Sequence, residues 1–171
     1  ASQISDNSFF LTGGSGVFGS WILHYFKWLI KKKIASPKVT LLIRKINNPY
    51  EYNFIENVVG DIINFDYPKK KFDYMLHLAA PSALDTYNGM GNIEKIDQLF
   101  LGTKNIINFA KKSVKYRSLM ASSGAIYGGF PKEHTELISE DCRISPLTTD
   151  DSSGLAIGKK VSETLFMLSN N

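Results

Sequence analysis

Four glycines fall within seven positions of the stretch FFLTGGSGVFGSWIL, residues 9–23: Gly13, Gly14, Gly16 and Gly19. They satisfy two spacings at once. Gly14, Gly16 and Gly19 read G-x-G-x-x-G, and Gly13, Gly16 and Gly19 read G-x-x-G-x-x-G. Between a strand and a helix, such glycines do three jobs. One turns the chain sharply, one lets a diphosphate approach bare backbone, and one lets the helix pack closely on the strand. The amide groups and positive dipole of the helix start then hold the phosphates. The competing reading is a glycine-rich turn without a ligand. The flanks favour the cradle, because an apolar run precedes the glycines and a helical pattern follows them.

The next informative pair is Arg44-Lys45, at the end of the second apolar run, with no acid before Glu51. An acid there would bind the ribose 2′-hydroxyl of NAD, whereas a basic residue suits the 2′-phosphate of NADP. The cofactor expected is therefore NAD or NADP, with NADP favoured by Arg44. As a plain alternative, Arg44 is a solvated strand end. His77 reads as a packed histidine rather than a general acid. Asp73, Asp85 and Asp97 form no metal-ligand spacing with a histidine or cysteine, so no metal is expected. Cys142 is the only cysteine, which excludes a disulfide within the chain.

These residues need a frame to hold them. Residues 8–12 read as a buried strand. From 17 to 30, apolar residues recur at 17, 18, 21, 22, 25, 26, 29 and 30, a helical period. Trp21, Tyr25, Phe26 and Trp28 are taken as core and hydrophobic flank; an exposed Trp28 would mark a homodimer contact. Runs at 39–43, 54–59, 73–78 and 117–121 give further strands. A helix is expected over 93–112, with Ile93, Ile96, Leu99, Phe100, Ile106, Ile107 and Ala110 on one stripe. Another is expected over 153–168, with Ile157, Val161, Leu165 and Leu168 inward, and residues 143–154 form a mobile loop. Alternating strands and helices imply a parallel sheet buried on both faces.

At 171 residues and 43% hydrophobic content, one domain with a real core is expected. No apolar run is long enough to span a membrane, and the N-terminus lacks a signal-peptide pattern. Together with the lone cysteine, this gives a cytoplasmic expectation without a membrane partner. The formal charge of +4 raises nucleic-acid binding. Lysines 31–33 and 69–71 are better read as a helix end and a turn, so no nucleic-acid partner is expected.

In order along the chain, TGGSGVFG (12–19), GDI (60–62), HLAAPS (77–82), LGTKNIINFA (101–110), SSGAIYGG (122–129) and GKKVSETL (158–165) resemble the motifs of one family. This is the extended short-chain dehydrogenase/reductase family of nucleotide-sugar epimerases and dehydratases. The resemblance implies an α/β fold: a Rossmann-type doubly wound parallel sheet with helices on both faces. Residues 1–171 would be an incomplete dinucleotide-binding domain, its last strands and C-terminal substrate domain absent. It implies cofactor contacts at Gly13, Gly16, Val17, Phe18, Gly19, Asp61, Ile62, Leu78, Ala79 and Ala80, with Asp61 on the adenine amino group. It makes Ser123 and Lys159 catalytic, the lysine also holding the nicotinamide ribose.

The family places a tyrosine four residues before that lysine. There it shares the lysine's helix face and takes a proton as hydride passes to the nicotinamide. Here the position is Leu155, and no tyrosine follows Tyr127. The family's usual asparagine position is Leu99. The function expected is the NAD(P)-binding portion of an epimerase, dehydratase or reductase acting on a nucleotide sugar. The alternative is a non-catalytic dinucleotide-binding sensor or assembly module.

Overall fold

The computed structural model describes residues 4–45, 52–128, 138–142, 144–148 and 153–169. Glu51, Gly129, and residues 143 and 149–152 of the polar loop lie outside them. The chain divides into two compact units, residues 1–80 with 105–121, and residues 81–104 with 122–171.

The first unit is built on five strands: β1 (Ser8–Thr12), β2 (Lys38–Ile43), β3 (Ile55–Val59), β4 (Phe72–His77) and β5 (Val114–Met120). They lie in the order β3-β2-β1-β4-β5, every pairing parallel. Successive side chains of a strand point to opposite faces, and β1 shows the result. Phe9 and Leu11 join Leu23, Phe26 and Leu29 of the helix α1 (Val17–Lys31) and Leu41 of β2. Phe10 instead meets Phe65, Phe72 and Phe109, the last at 4.4 Å between ring centroids. Phe109 belongs to α3 (Asn92–Ser113), whose final turns lie in this unit. Burial on both faces thus holds for the central strands. It does not hold for the outer two: β3 and β5 are largely exposed, Leu119 at 55%. An edge strand has a neighbour on one side only, so less covers it.

The inward face of α1 also differs from expectation. Its buried residues are Gly19, Leu23, Phe26 and Leu29, while Trp21 is 73% exposed and Tyr25 and Trp28 nearly half exposed. The apolar positions cover two sides of the helix, and only one meets the sheet.

The second unit contains α2 (Ala83–Tyr87), the start of α3, a 3-10 turn (Gly124–Tyr127) and α4 (Gly154–Ser169). Ser82 begins α2 with a capping box: its hydroxyl accepts the Asp85 N–H, and the Asp85 carboxylate accepts the Ser82 N–H at 2.7 Å. The inward face of α4 is Gly154, Ala156, Gly158, Lys159 and Ser162, not the expected aliphatic row; Leu168 is exposed. Small residues let α3 approach closely. A Cβ on Gly154 would lie 2.6 Å from Asn92, and one on Gly158 2.6 Å from Leu99. Ser162 and Thr103 join hydroxyls at 2.9 Å across this contact. Ile93, placed on the buried stripe by sequence, is exposed.

Candidate functional site

In the first unit the glycine loop leaves the carboxyl end of β1 and opens α1. Gly13 has φ +74°, a backbone that side chains rarely adopt, and a Cβ there would stand 2.6 Å from the backbone of Leu78 and Ala79. A Cβ on Gly19 would collide with the carbonyl oxygen of Gly13. Gly14 packs against Leu41 instead. The spacing in use is therefore 13, 16 and 19. Gly16 is the N-cap of α1 and supplies no side-chain cap, and the first turn contains no acid. The first intrahelical bond runs from the Ser20 N–H to the Gly16 carbonyl at 2.9 Å. The amides of Val17, Phe18 and Gly19 thus precede the helical ladder at its positive end. The donors and the bare backbone fit a diphosphate.

Thr12, which sequence reasoning passed over, organises the adjoining segment. Its buried hydroxyl accepts the N–H groups of Leu78 and Ala79, each at 3.2 Å, and lies 2.8 Å from His77 Nδ1. His77 is packed, 3% exposed, as the sequence indicated. Leu78, Ala79 and Ala80 are thereby held beside Gly13. The signal for Thr12 was its place directly before the glycines.

Asp61 lies just beyond β3, exposed, its carboxylate accepting the Ile63 N–H at 2.9 Å. Ile62 is buried, and its carbonyl accepts from Asn105 at 2.9 Å. Arg44 is exposed at the carboxyl end of β2. These residues, the glycines and 78–80 all sit at the carboxyl ends of the parallel strands.

In the second unit, Ser123 caps the 3-10 turn, its hydroxyl accepting the Ala125 N–H at 3.2 Å. That turn packs against α4, which carries Lys159. Lys159 is only 4% exposed. Burial pushes its ammonium below the usual lysine value, opposed by the nearby charge of Glu163. Leu155 is half-buried one turn earlier, and Leu99 is buried under Gly158. The Tyr127 hydroxyl donates to the Glu140 carboxylate at 3.3 Å, and desolvation, then the Glu140 charge, push its phenol up. Among the described residues, no group of three histidine, cysteine, aspartate or glutamate side chains could hold a metal ion, and no helix is long and apolar enough to cross a membrane.

A family model described as the NAD dependent epimerase/dehydratase family matches residues 9–166. The chain belongs to the NAD dependent epimerase/dehydratase family. Comparison with curated proteins gives no match. Among solved structures, a UDP-N-acetylglucosamine 4-epimerase from Methanobrevibacter ruminantium M1 is 23% identical with TM-score 0.71, covering 96% of this chain and 50% of its own. The Bordetella bronchiseptica enzyme WbmG, solved in complex with NAD and UDP, is 20% identical with TM-score 0.71, covering 97% and 51%. A dTDP-glucose 4,6-dehydratase from Bacillus anthracis, in complex with NAD, is 18% identical with TM-score 0.67, covering 95% and 50%. These likenesses show the Rossmann-type fold, and the chain spans about half the length of such epimerase/dehydratase structures.

Proposed function

We propose that this chain is the dinucleotide-binding portion of a nucleotide-sugar epimerase, dehydratase or reductase that works by reversible hydride transfer. One observation carries the reading: the uncapped start of α1, with Gly13, Gly16 and Gly19 clearing backbone for a diphosphate. The amides of Val17, Phe18 and Gly19 hold the phosphates. Asp61 takes the adenine amino group, Ile62 lies beside it, and Leu78, Ala79 and Ala80 line the cofactor on the β4 side. Arg44 favours NADP by meeting the 2′-phosphate. A bound nicotinamide supplies the hydride acceptor and donor. Lys159 holds the nicotinamide ribose, and Ser123 hydrogen-bonds the substrate oxygen. A nucleotide sugar is the proposed substrate.

A second reading rests on Leu155 and Leu99, which have no proton to give or take. On that reading the chain binds dinucleotide without turnover, as a sensor or assembly module. Calorimetric titration with NAD and NADP tests the shared claim. Saturable binding of either is expected, NADP binding more tightly, with that preference lost in Arg44→Ala. Binding of neither contradicts both readings.

A further inference from the structure

The charge of the molecule is unevenly divided. The first unit contains fourteen lysines and arginines against six acids, a formal charge of +8, and the second six against ten, −4. The parallel topology puts much of the positive charge on one rim. Strands β2, β4 and β5 begin at the amino edge of the sheet, and α1 and α3 end there. Lys31 closes α1 with Lys32 and Lys33 after it, Lys38 opens β2, lysines 69–71 precede β4, and Lys111 and Lys112 close α3, all of them exposed. This rim is opposite the edge that carries the glycine cradle. Among the described residues, Lys70 pairs with Glu56 and Lys115 with Asp73 at this edge.

An aromatic band runs into this rim. At 100° per residue, Trp21, Tyr25 and Trp28 share one side of α1, away from the buried Leu23, Phe26 and Leu29. His24, Lys27 and Lys31 form the adjoining strip, and the helix contains no acid. Ile34, just past the lysines, is also exposed. Tryptophan and tyrosine beside lysine is the composition that settles at a bilayer headgroup layer.

We propose that this face of the first unit docks on an anionic phospholipid bilayer, with Trp21, Tyr25 and Trp28 in the headgroup region and the lysine rim against the lipid phosphates. This is surface contact, not insertion across the membrane. Charge argues against pairing of two α1 faces, because it would bring basic strips together with no acid on the helix to meet them. Tyr25 and Trp28 stack on each other, 6.0 Å between centroids and 16° between planes, as one aromatic surface.

The test is flotation of the 171-residue chain with phosphatidylcholine vesicles, with and without phosphatidylglycerol, at low and high salt. The chain's only two tryptophans lie on this face, so their emission reports on it alone. Expected are binding to phosphatidylglycerol vesicles that weakens with salt, and quenching of tryptophan by brominated lipid. Replacing lysines 31–33 by glutamine should cut binding roughly 100-fold, since each lysine near an anionic surface contributes about fivefold. Circular dichroism confirms that the variant is folded, and the quenching result in the unaltered chain stands without it. The proposal is overturned by absence of binding, by equal binding to neutral vesicles, by tighter binding to an oligonucleotide, or by a dimer in solution that hides the tryptophans from acrylamide without lipid.

Discussion

The glycine loop of the first unit and the α3–α4 contact of the second ask for different things from the sequence. Holding a diphosphate needs backbone amides and empty space, and Gly13, Gly16 and Gly19 provide both without any functional side chain. Moving a proton needs a particular side chain at a particular place, and there the second unit offers Leu155 and Leu99. Lys159 and Ser123 remain in the same unit, the lysine buried. On the proposed reading, a binding site made of backbone is complete in a chain that has leucine where the family places its proton-transfer side chains.

The largest effect expected is at Gly19. Gly19→Val drives a branched side chain into the Gly13 carbonyl, and it should cost on the order of 3 kcal/mol of stability and abolish dinucleotide binding. Urea denaturation and calorimetry check the two effects; a variant that binds normally would break the comparison from the first unit's side. Leu155→Tyr works on the other side. A phenol one turn before Lys159 should raise hydride transfer by roughly 100-fold over any residual rate, read as change in nicotinamide absorbance with a nucleotide sugar. An unchanged rate, with dinucleotide binding intact, favours the module without turnover.

A smaller effect concerns Lys159 itself. Its folded-state value lies below the ordinary 10.5 because of burial. Between those two values the unfolded chain binds more protons, so stability rises with pH through that window. At neutral pH the buried ammonium is a cost. Lys159→Met should therefore raise stability at pH 7 by about 1 kcal/mol, with the advantage shrinking as pH approaches 10.5; thermal melts across pH would show this. The fourth effect lies at the amino edge. The Ser8 backbone N–H, then the Ser8 hydroxyl and Lys115, hold the Asp73 carboxyl below its usual 3.8 against an opposing effect of burial. Its stabilisation is present above that value and is lost as pH falls through the lowered one. Asp73→Asn should cost about 1.5 kcal/mol at pH 7, and the difference from wild type should vanish in acid.

Which parts were legible follows from how each is encoded. Strand β1 and helix α1 were read almost to the residue, because a short apolar run, a glycine cluster and a helical period are local signals. The family motifs placed the candidate site in order along the chain. The inward face of α1 was misread because Trp21, Tyr25 and Trp28 share the helical period of the core residues; periodicity locates a helix but not which of two apolar sides is covered. In α4 the covered side is Gly154, Gly158 and Ser162, and a hydrophobicity count passes over small residues whose role is close approach. Strand β5 begins at Val114, three residues before expectation, because Lys115 and Tyr116 are exposed on an edge and do not look apolar. Helix α2 was missed, although Ser82 and Asp85 carry its capping signature. The Thr12–His77 pairing joins residues 65 apart, and no local pattern encodes it.

The central claim is that the amides opening α1 hold a diphosphate. The most direct test is to follow the backbone 1H–15N resonances of the chain during titration with NADP. Saturable shifts at Val17, Phe18 and Gly19, tracking one another with a single affinity, are the predicted result. Resonances there that stay fixed while dinucleotide binds elsewhere, or does not bind, would contradict the account.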